Sequence, residues 1–482
     1  MGIPSYYSYL IKNHPKILEI FKKAPKPDHF YLDANSIIYD VVAKGFVDNE
    51  IITHVIEEIE KYIVLISPKQ TVTIAFDGCA PRAKMQQQRE RRFKSYYLNK
   101  ARARILKEEP KLWDTANITP GTNFMKLLSN RMKTHFTQPN YNVLTDCSGE
   151  GEHKIFQIIR DTANLEETHV IYGLDSDLIM IAMMHIELTN IFLFRETPQY
   201  IKQFHSSFDH TANYLLNVSL LSKTIEDEMG GSIHDYVFIS FLMGNDFMPH
   251  FPALNIRTGG IDKIINAYKI NKSNMIRVDR KTNQITVYWK HFFCFIQLLS
   301  NKEEEFIQTE FLKRSKKIDY KCIFQKIENL PTVDRKIEKY INPLREGWDK
   351  RYYASLGNIE PIHYTNGLIW NITYYTFGCT DWNWEYPYHY PPLLKDLVLH
   401  IPTKNQIITY VKTENENTDI EQLCTVLPKN ALHLIPDEIR EQLDPSWYVD
   451  DCCFTWAFCK YFWESHPDLP SIDIDRLKKI CK

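Results

Sequence analysis

The sequence predicts an α/β protein with a mostly parallel central sheet flanked by helices. Short apolar runs alternate with helical stretches, and the runs end on or shortly before acids, with Gly or Pro breaking the chain before the next helix. Such alternation implies helices on both faces of a parallel sheet, whose functional groups gather at the carboxyl ends of the strands.

MGIPSYYSYLIKNHPKILEIF opens with a short amphipathic helix after Pro4, whose Tyr6, Tyr7, Leu10 and Ile11 fall near one side and suit packing. HFYLD reads as a strand stopping at Asp33, followed by a helix carrying Asn35, Ser36 and Tyr39. TVTIAF is a second, buried strand. Asp77 follows it, Gly78 and Pro81 break it, and a long polar helix continues to about Lys107. YNVL is a third strand, leading to a helix opened by Gly149, Glu150, Gly151 and Glu152. THVIYGL, ending at Asp175-Ser176-Asp177, and NIFLF are the fourth and fifth. Farther on, the apolar helix of HDYVFISFLMGNDFMPH reaches Asp246 and is closed by Pro249. Residues 1–270 are therefore expected to form a core carrying the acids. Residues 271–343, with KEEEF and KRSKK runs, are expected as a helical connector or protruding arm, and 344–482 as an aromatic-rich second region packed against the core and completing its cleft.

Hydrophobic residues at 44% and aromatics at 13% of 482 residues support a sizeable packed core and argue against disorder. A formal net charge of -2 gives no global attraction to nucleic acid, so any such contact must come from local basic surface. The ten Cys show no CxxC pair or Cys/His ligand spacing, which favours reduced thiols over a zinc module. No apolar run approaches ~18 residues and no signal-peptide order opens the chain, so an intracellular protein without a membrane span is expected. Tyr6 occupies the position where myristoylation of Gly2 wants Ser or Thr. GxSxG, P-loop and HExxH strings are absent, leaving serine hydrolase, P-loop nucleotidase and zinc protease without support.

Asp33, Asp77, Glu150, Glu152, Asp175, Asp177 and Asp246 are seven acids at comparable places in the chain. A turn or helix cap is the simpler role for any one of them; recurrence at successive strand ends points to a shared site. Concentrated without counter-ions, they would raise one another's pKa and destabilise the fold. Two Mg2+ ions, with Mn2+ able to substitute, resolve that conflict through oxygen ligands and favour in-line phosphodiester hydrolysis without a covalent intermediate.

The helix after Asp77 begins DGCAPRAKMQQQRERR. Counting from Lys84, Gln88 lies at about 40°, Arg91 near 340° and Arg92 near 80°, so the four share roughly a 100° arc. Guanidinium forks, an ammonium and an uncharged amide on one arc suit a terminal phosphate, although alone a solvated basic face is the simpler role.

The stretches MGIPSYY, LDANSIIY, DGCAPRAKMQQQRERRF, GEGEHK, GLDSDLIM and GNDFMPH, then GWDKRYY, GLIW and WNWEYPYHYPP, follow in that order. In content and order the chain resembles the XRN family of 5′-to-3′ exoribonucleases across both of that family's core regions. DGCAPRAKMQQQR is the most specific string, whereas GLDSDL and GNDF also occur in flap-type nucleases. The resemblance implies a PIN/flap-nuclease-like fold in which the seven acids are the catalytic, metal-binding set. It implies that Lys84, Gln88, Arg91 and Arg92 bind the substrate's 5′ phosphate, and that Tyr39 and either Trp382 or Trp384 clamp the first bases. Tyr39 departs from the family's usual His, keeping the stacking face without the ability to become a cation.

The activity implied is Mg2+-dependent hydrolysis of single-stranded RNA with a 5′ monophosphate to mononucleotides in RNA decay, refusing capped ends. A flap-type structure-specific 5′ DNA nuclease and a catalytically weak RNA-binding scaffold are the alternatives. Partners implied are RNA and decapping or other decay factors, with the protein a monomer in the cytoplasm and the nucleus left open. The sequence stops soon after FWESHPDLPSIDIDRL, short of the extra C-terminal domains of the family's large cytoplasmic members, so a minimal core is expected.

Overall fold

The computed structural model describes residues 3, 5–21, 26–107, 113–162, 164–173, 175–196, 208–209, 211–316 and 327–481. Met1, Gly2 and the end of the KRSKK run lie outside them. A seven-stranded sheet is formed by β1 (Leu18–Ile20), β2 (His29–Asp33), β3 (Thr71–Ala75), β4 (Tyr141–Leu144), β5 (Thr168–Tyr172), β6 (Asn190–Arg195) and β7 (Tyr214–Asn217), in the order β1-β7-β6-β5-β2-β3-β4. β2 pairs in parallel with β3 and β5, β3 with β4, and β5 with β6. These parallel strands are the five legible as apolar runs. β7 runs antiparallel to β6 and β1, an edge that the short segments LEI and YLLN do not announce.

Side chains alternate between two cores, as a period of two requires. Tyr31, Ala75 and Ile171 enter one; Phe30, Leu32, Val72, Ile74, Val170 and Tyr172 enter the other. Helices cover both faces, which is why these strands are apolar throughout, and each fully buried large side chain stabilises the fold by about 1.5–3 kcal/mol. On the first face α1 (Tyr6–Asn13) buries Tyr6, Leu10 and Ile11. α2 (Asn35–Ala43) and α3 (Asp48–Ile66) cover the second, α3 burying Ile51, Ile52, Val55, Ile59, Ile63 and Ile66 at helical spacing. Next come α4 (Arg82–Leu106), α5 (Asn123–His135), α6 (Gly151–Thr162), α7 (Ser176–Met183), α8 (Val218–Met229), α9 (Ile233–Ser240) and α10 (Gly260–Asn271). No helix among the described residues is long and apolar enough to cross a membrane.

The stretch 271–343, expected as a helical connector or protruding arm, opens with a hairpin of β8 (Ile276–Asp279) and β9 (Gln284–Val287), extended by β10 (Gln406–Thr409), before its helices begin. Its charges sit in the turn, where Asp279 Oδ1 accepts from Lys281 N at 3.0 Å, and so mask the inward Ile276, Ile285 and Val287. α11 (Trp289–Ser300) places Trp289, Phe292, Phe295 and Ile296 in the main core, and the charged helix α12 (Glu303–Lys316) follows. Tyr364, Leu368, Trp370, Ile372, Tyr374 and Tyr375 of helix Pro361–Thr376 enter the same core. The aromatic-rich region thus shares one interior with the sheet.

Glu338 fastens part of this region from a fully buried position. It accepts from Arg314 Nη2 at 2.7 Å, Arg335 Nε at 2.6 Å and Phe458 N at 2.7 Å. Removing the carboxylate leaves two guanidinium groups without their counter-ion. Glu338→Ala should therefore cost about 3–5 kcal/mol of stability in urea denaturation, and a loss below about 1 kcal/mol would show that the cluster is dispensable.

Candidate active site

From β2 the chain lays β3 and β4 to one side, then returns to place β5 and β6 on the other. The connections leaving the carboxyl ends of β2 and β5 consequently run in opposite directions, the place where open α/β sheets form a crevice. Asp33 ends β2, Asp77 lies just beyond β3, and Asp175 is the N-cap of α7. Glu152 and Asp177 stand in the first turns of α6 and α7, where the helix dipole favours negative charge. Asp246 lies within a tight turn in which Gly244 has φ +78° and Asn245 Oδ1 accepts from Phe247 N and Met248 N, both at 3.0 Å.

The fold brings all seven acids into one electrostatic network. Lys84 Nζ donates to Asp246 Oδ2 at 2.8 Å and pairs with Glu150 Oε2. Tyr374 OH donates to Glu150 Oε1 at 2.8 Å, while Asn35 Nδ2 and Gly151 N donate to the two oxygens of Asp77 at 2.5 and 2.8 Å. Gly151 also permits close approach, because a Cβ there would lie 2.7 Å from Asp33 Oδ1.

Burial, then Asp77, pushes the Asp33 carboxyl well up; burial, then Glu150, does the same to Glu152. Burial, then Asp246, pushes Asp177 up to about 7. Burial opposes charge on Asp246 too, yet the adjacent Lys84 ammonium holds it well below the usual carboxylate range. Lys84 cannot neutralise seven acids, and Asp177 Oδ1 is buried without a hydrogen-bond partner. This oxygen-rich donor set fits a hard divalent cation. His153 was passed over in GEGEHK. Its ligand atom lies within 4.8 Å of those of Glu150 and Glu152, and neither ring nitrogen has a hydrogen-bond partner.

The four residues expected at a terminal phosphate separate into three environments. Lys84 joins the acids, and Gln88 Oε1 accepts from Gln422 Nε2 at 3.3 Å. Arg91 and Arg92 share the electrostatic surroundings of Tyr39, a residue 38% exposed, and Arg92 Nη2 donates to Ile118 O at 3.1 Å. Nor is α4 a solvated basic face: Arg89 donates to Trp447 O and Pro470 O, and Lys94 to Trp463 O and Ser465 O, at 2.8–3.0 Å. Beyond these ties lies a cleft of ≈ 1020 Å³ whose lining includes Arg82, Arg91 and Asp246.

Of the two candidate tryptophans, Trp384 stacks on Trp370 at 4.7 Å and 21°. The stack continues through Tyr374 to His153. Trp382 instead approaches Gly149 beside Glu150, and its Nε1 donates to Thr413 O at 3.1 Å. Tyr374 had no local signal in the sequence, since it reaches Glu150 across 224 positions. Asn35 did, two residues after Asp33 in LDANSII.

Fold and site together define an α/β protein with a carboxylate-lined centre whose donor set could hold a metal ion. The chain belongs to the XRN 5′-3′ exonuclease family: the model of that family's N-terminus matches residues 1–197, and that of the Xrn1 helical domain matches 227–343 and 333–481. Curated relatives include 5′-3′ exoribonuclease 1 of Schizosaccharomyces pombe, 26% identical over 99% of this chain and 48% of that protein. The human 5′-3′ exoribonuclease 1 is 27% identical over 90% of this chain and 31% of its own length. The chain thus spans about half or less of these relatives' lengths. Among solved structures, the catalytic core of Rad2 in complex with DNA substrate is 16% identical, with a TM-score of 0.32, covering 55% of this chain and 68% of that one.

With divalent cations chelated, folded Asp177 holds a proton that the unfolded chain releases near pH 4. The stability from this group is full below that pH and lost as pH rises through about 7. Denaturation midpoints should fall across this window, and Asp177→Asn should flatten the fall. A decline of the same size in the variant would remove Asp177 as its source.

Proposed function

We propose that the protein is a 5′-to-3′ exoribonuclease that hydrolyses single-stranded RNA bearing a 5′ monophosphate to mononucleotides, using two Mg2+ ions. The observation that carries this reading is the convergence of seven acids, with Glu150, Glu152 and Asp177 buried among them, on a site whose negative charge the single Lys84 ammonium offsets only in part. Asp33, Asp77, Glu150, Glu152, Asp175, Asp177 and Asp246 would hold the ions, which when bound stabilise charge on the attacking and leaving oxygens of a phosphodiester. The names of the curated relatives support the same activity.

The chain's own groups prepare the site. Asn35 and the Gly151 amide orient Asp77, Tyr374 orients Glu150, and Lys84 offsets part of the negative potential that would repel RNA. Arg91 and Arg92, flanking the Tyr39 environment, bind the terminal phosphate as planar donor forks, with Lys84 and Gln88 as the adjoining cation and amide. Tyr39 stacks on the first base. Trp382 is the preferred opposing ring, because Trp384 already gives one face to Trp370. A cap or triphosphate exceeds this pocket in size and charge, so the enzyme acts in RNA decay after cap removal.

With Mg2+, 5′-monophosphate RNA should be degraded to mononucleotides far faster than 5′-hydroxyl or capped RNA of the same sequence. Equal rates on all three would remove the phosphate pocket, and internal cuts in branched DNA would favour a flap-type nuclease. Tyr39→Ala should weaken RNA binding by about 1–3 kcal/mol, roughly five- to 150-fold in Kd, whereas unchanged affinity would take Tyr39 out of the clamp.

A further inference from the structure

At the opposite end of the sheet from the acids, register brings a second set of donors together. His29 pairs across β2–β5 with His169, and across β2–β3 with Thr71, so the three stand abreast on one sheet face. Glu167 lies just before β5. One ligand atom each from His29, Glu167 and His169 lies within 4.8 Å of the others.

We propose that these three residues bind a borderline transition-metal dication, Zn2+ in the first instance, outside the nuclease centre. Two imidazoles and one carboxylate, with a fourth position open, form a recurring zinc ligand set. Nitrogen donors select such a metal over Mg2+. Four residues along β2 separate His29 from Asp33, roughly 13 Å at 3.3 Å per residue, so the two centres are distinct.

The surrounding hydrogen bonds are those a metal site needs. His29 Nδ1 lies 2.7 Å from Thr71 Oγ1, and its Nε2 faces Glu167 Oε2 at 3.3 Å. Gln70 Nε2 donates to the other Glu167 oxygen at 3.2 Å. His169 Nδ1 lies 3.1 Å from the Tyr31 hydroxyl, on a ring parallel within 7°. Ligating histidines are oriented in this way by a partner on their second nitrogen. A His29–Glu167 ion pair alone leaves His169 unexplained: the residue is 1% exposed and its Nε2 has no hydrogen-bond partner. Burial, then His29, lowers this ring's pKa to about 4, which keeps it neutral and able to donate a lone pair. Asp28 does not supply the carboxylate, since it accepts from Thr168 N at 2.9 Å and Lys69 Nζ at 3.1 Å. The side chains of His29 and Glu167 are 13% and 25% exposed, giving an ion a route from solvent. A bound ion would pin the starts of β2 and β5, whose far ends lead to Asp33 and Asp175.

The test is calorimetric titration of the chelator-treated 482-residue chain with Zn2+, in excess Mg2+ to fill the oxygen-rich centre. One tight Mg2+-resistant equivalent is expected, lost in both His29→Ala and Glu167→Gln. Thr71→Val should weaken it roughly 10- to 100-fold. Each variant's fold is checked by circular dichroism, and Glu167→Gln, nearly isosteric and partly exposed, decides the matter if His29→Ala does not fold. Wild-type protein without such a site, or the same stoichiometry in folded Glu167→Gln, overturns the proposal.

Discussion

Mutual repulsion among buried carboxylates is the constraint around which this protein is arranged. Packed together, with Glu150, Glu152 and Asp177 withdrawn from solvent, the seven acids of the site oppose folding unless protons, cations or ligands answer their charge. Part of the answer is internal: Lys84 bridges Glu150 and Asp246, and Asn35, Tyr374 and the Gly151 amide supply donors. Arg91 adds to this at Asp246, and the oxygen-rich set that remains suits a bound cation. A site so built is held poised by the fold, because the groups that meet there come from different strands and helices.

That burden explains why the aromatic-rich region shares a core with the sheet. Tyr374 reaches Glu150 from helix Pro361–Thr376, and Trp370 and Trp384 stack behind it. Arg82 N donates to Trp382 O at 2.8 Å, joining the start of α4 to the same aromatic loop. Without this backing, Glu150 would lose its hydroxyl donor. The long polar helix α4 receives comparable support from backbone carbonyls of the last forty or so residues, which offset the cost of burying Arg89 and Lys94.

Much of this was legible in one dimension. The five parallel strands carry continuous apolar runs because both faces of the sheet are covered, and the acids mark where those strands stop. β1 and β7 were not legible, since three or four residues at an edge carry little pattern. The β8–β9 hairpin was hidden by the charges of its turn. The 100° arc on α4 was sound as helix geometry but could not say what each side chain would meet. Lys84 met acids, Gln88 an amide from residue 422, and Arg92 the carbonyl of Ile118.

By itself, then, the sequence determined the five parallel strands, the acids near their ends and the family to which those motifs point, because period, punctuation and short strings are local properties. Tertiary structure alone decided which acids share a charge, that Tyr374 belongs to the site, and that Lys84 serves as a counter-ion. Those outcomes depend on distances between groups far apart in the chain, and burial sets the strength of a charge interaction only after the chain has closed around it.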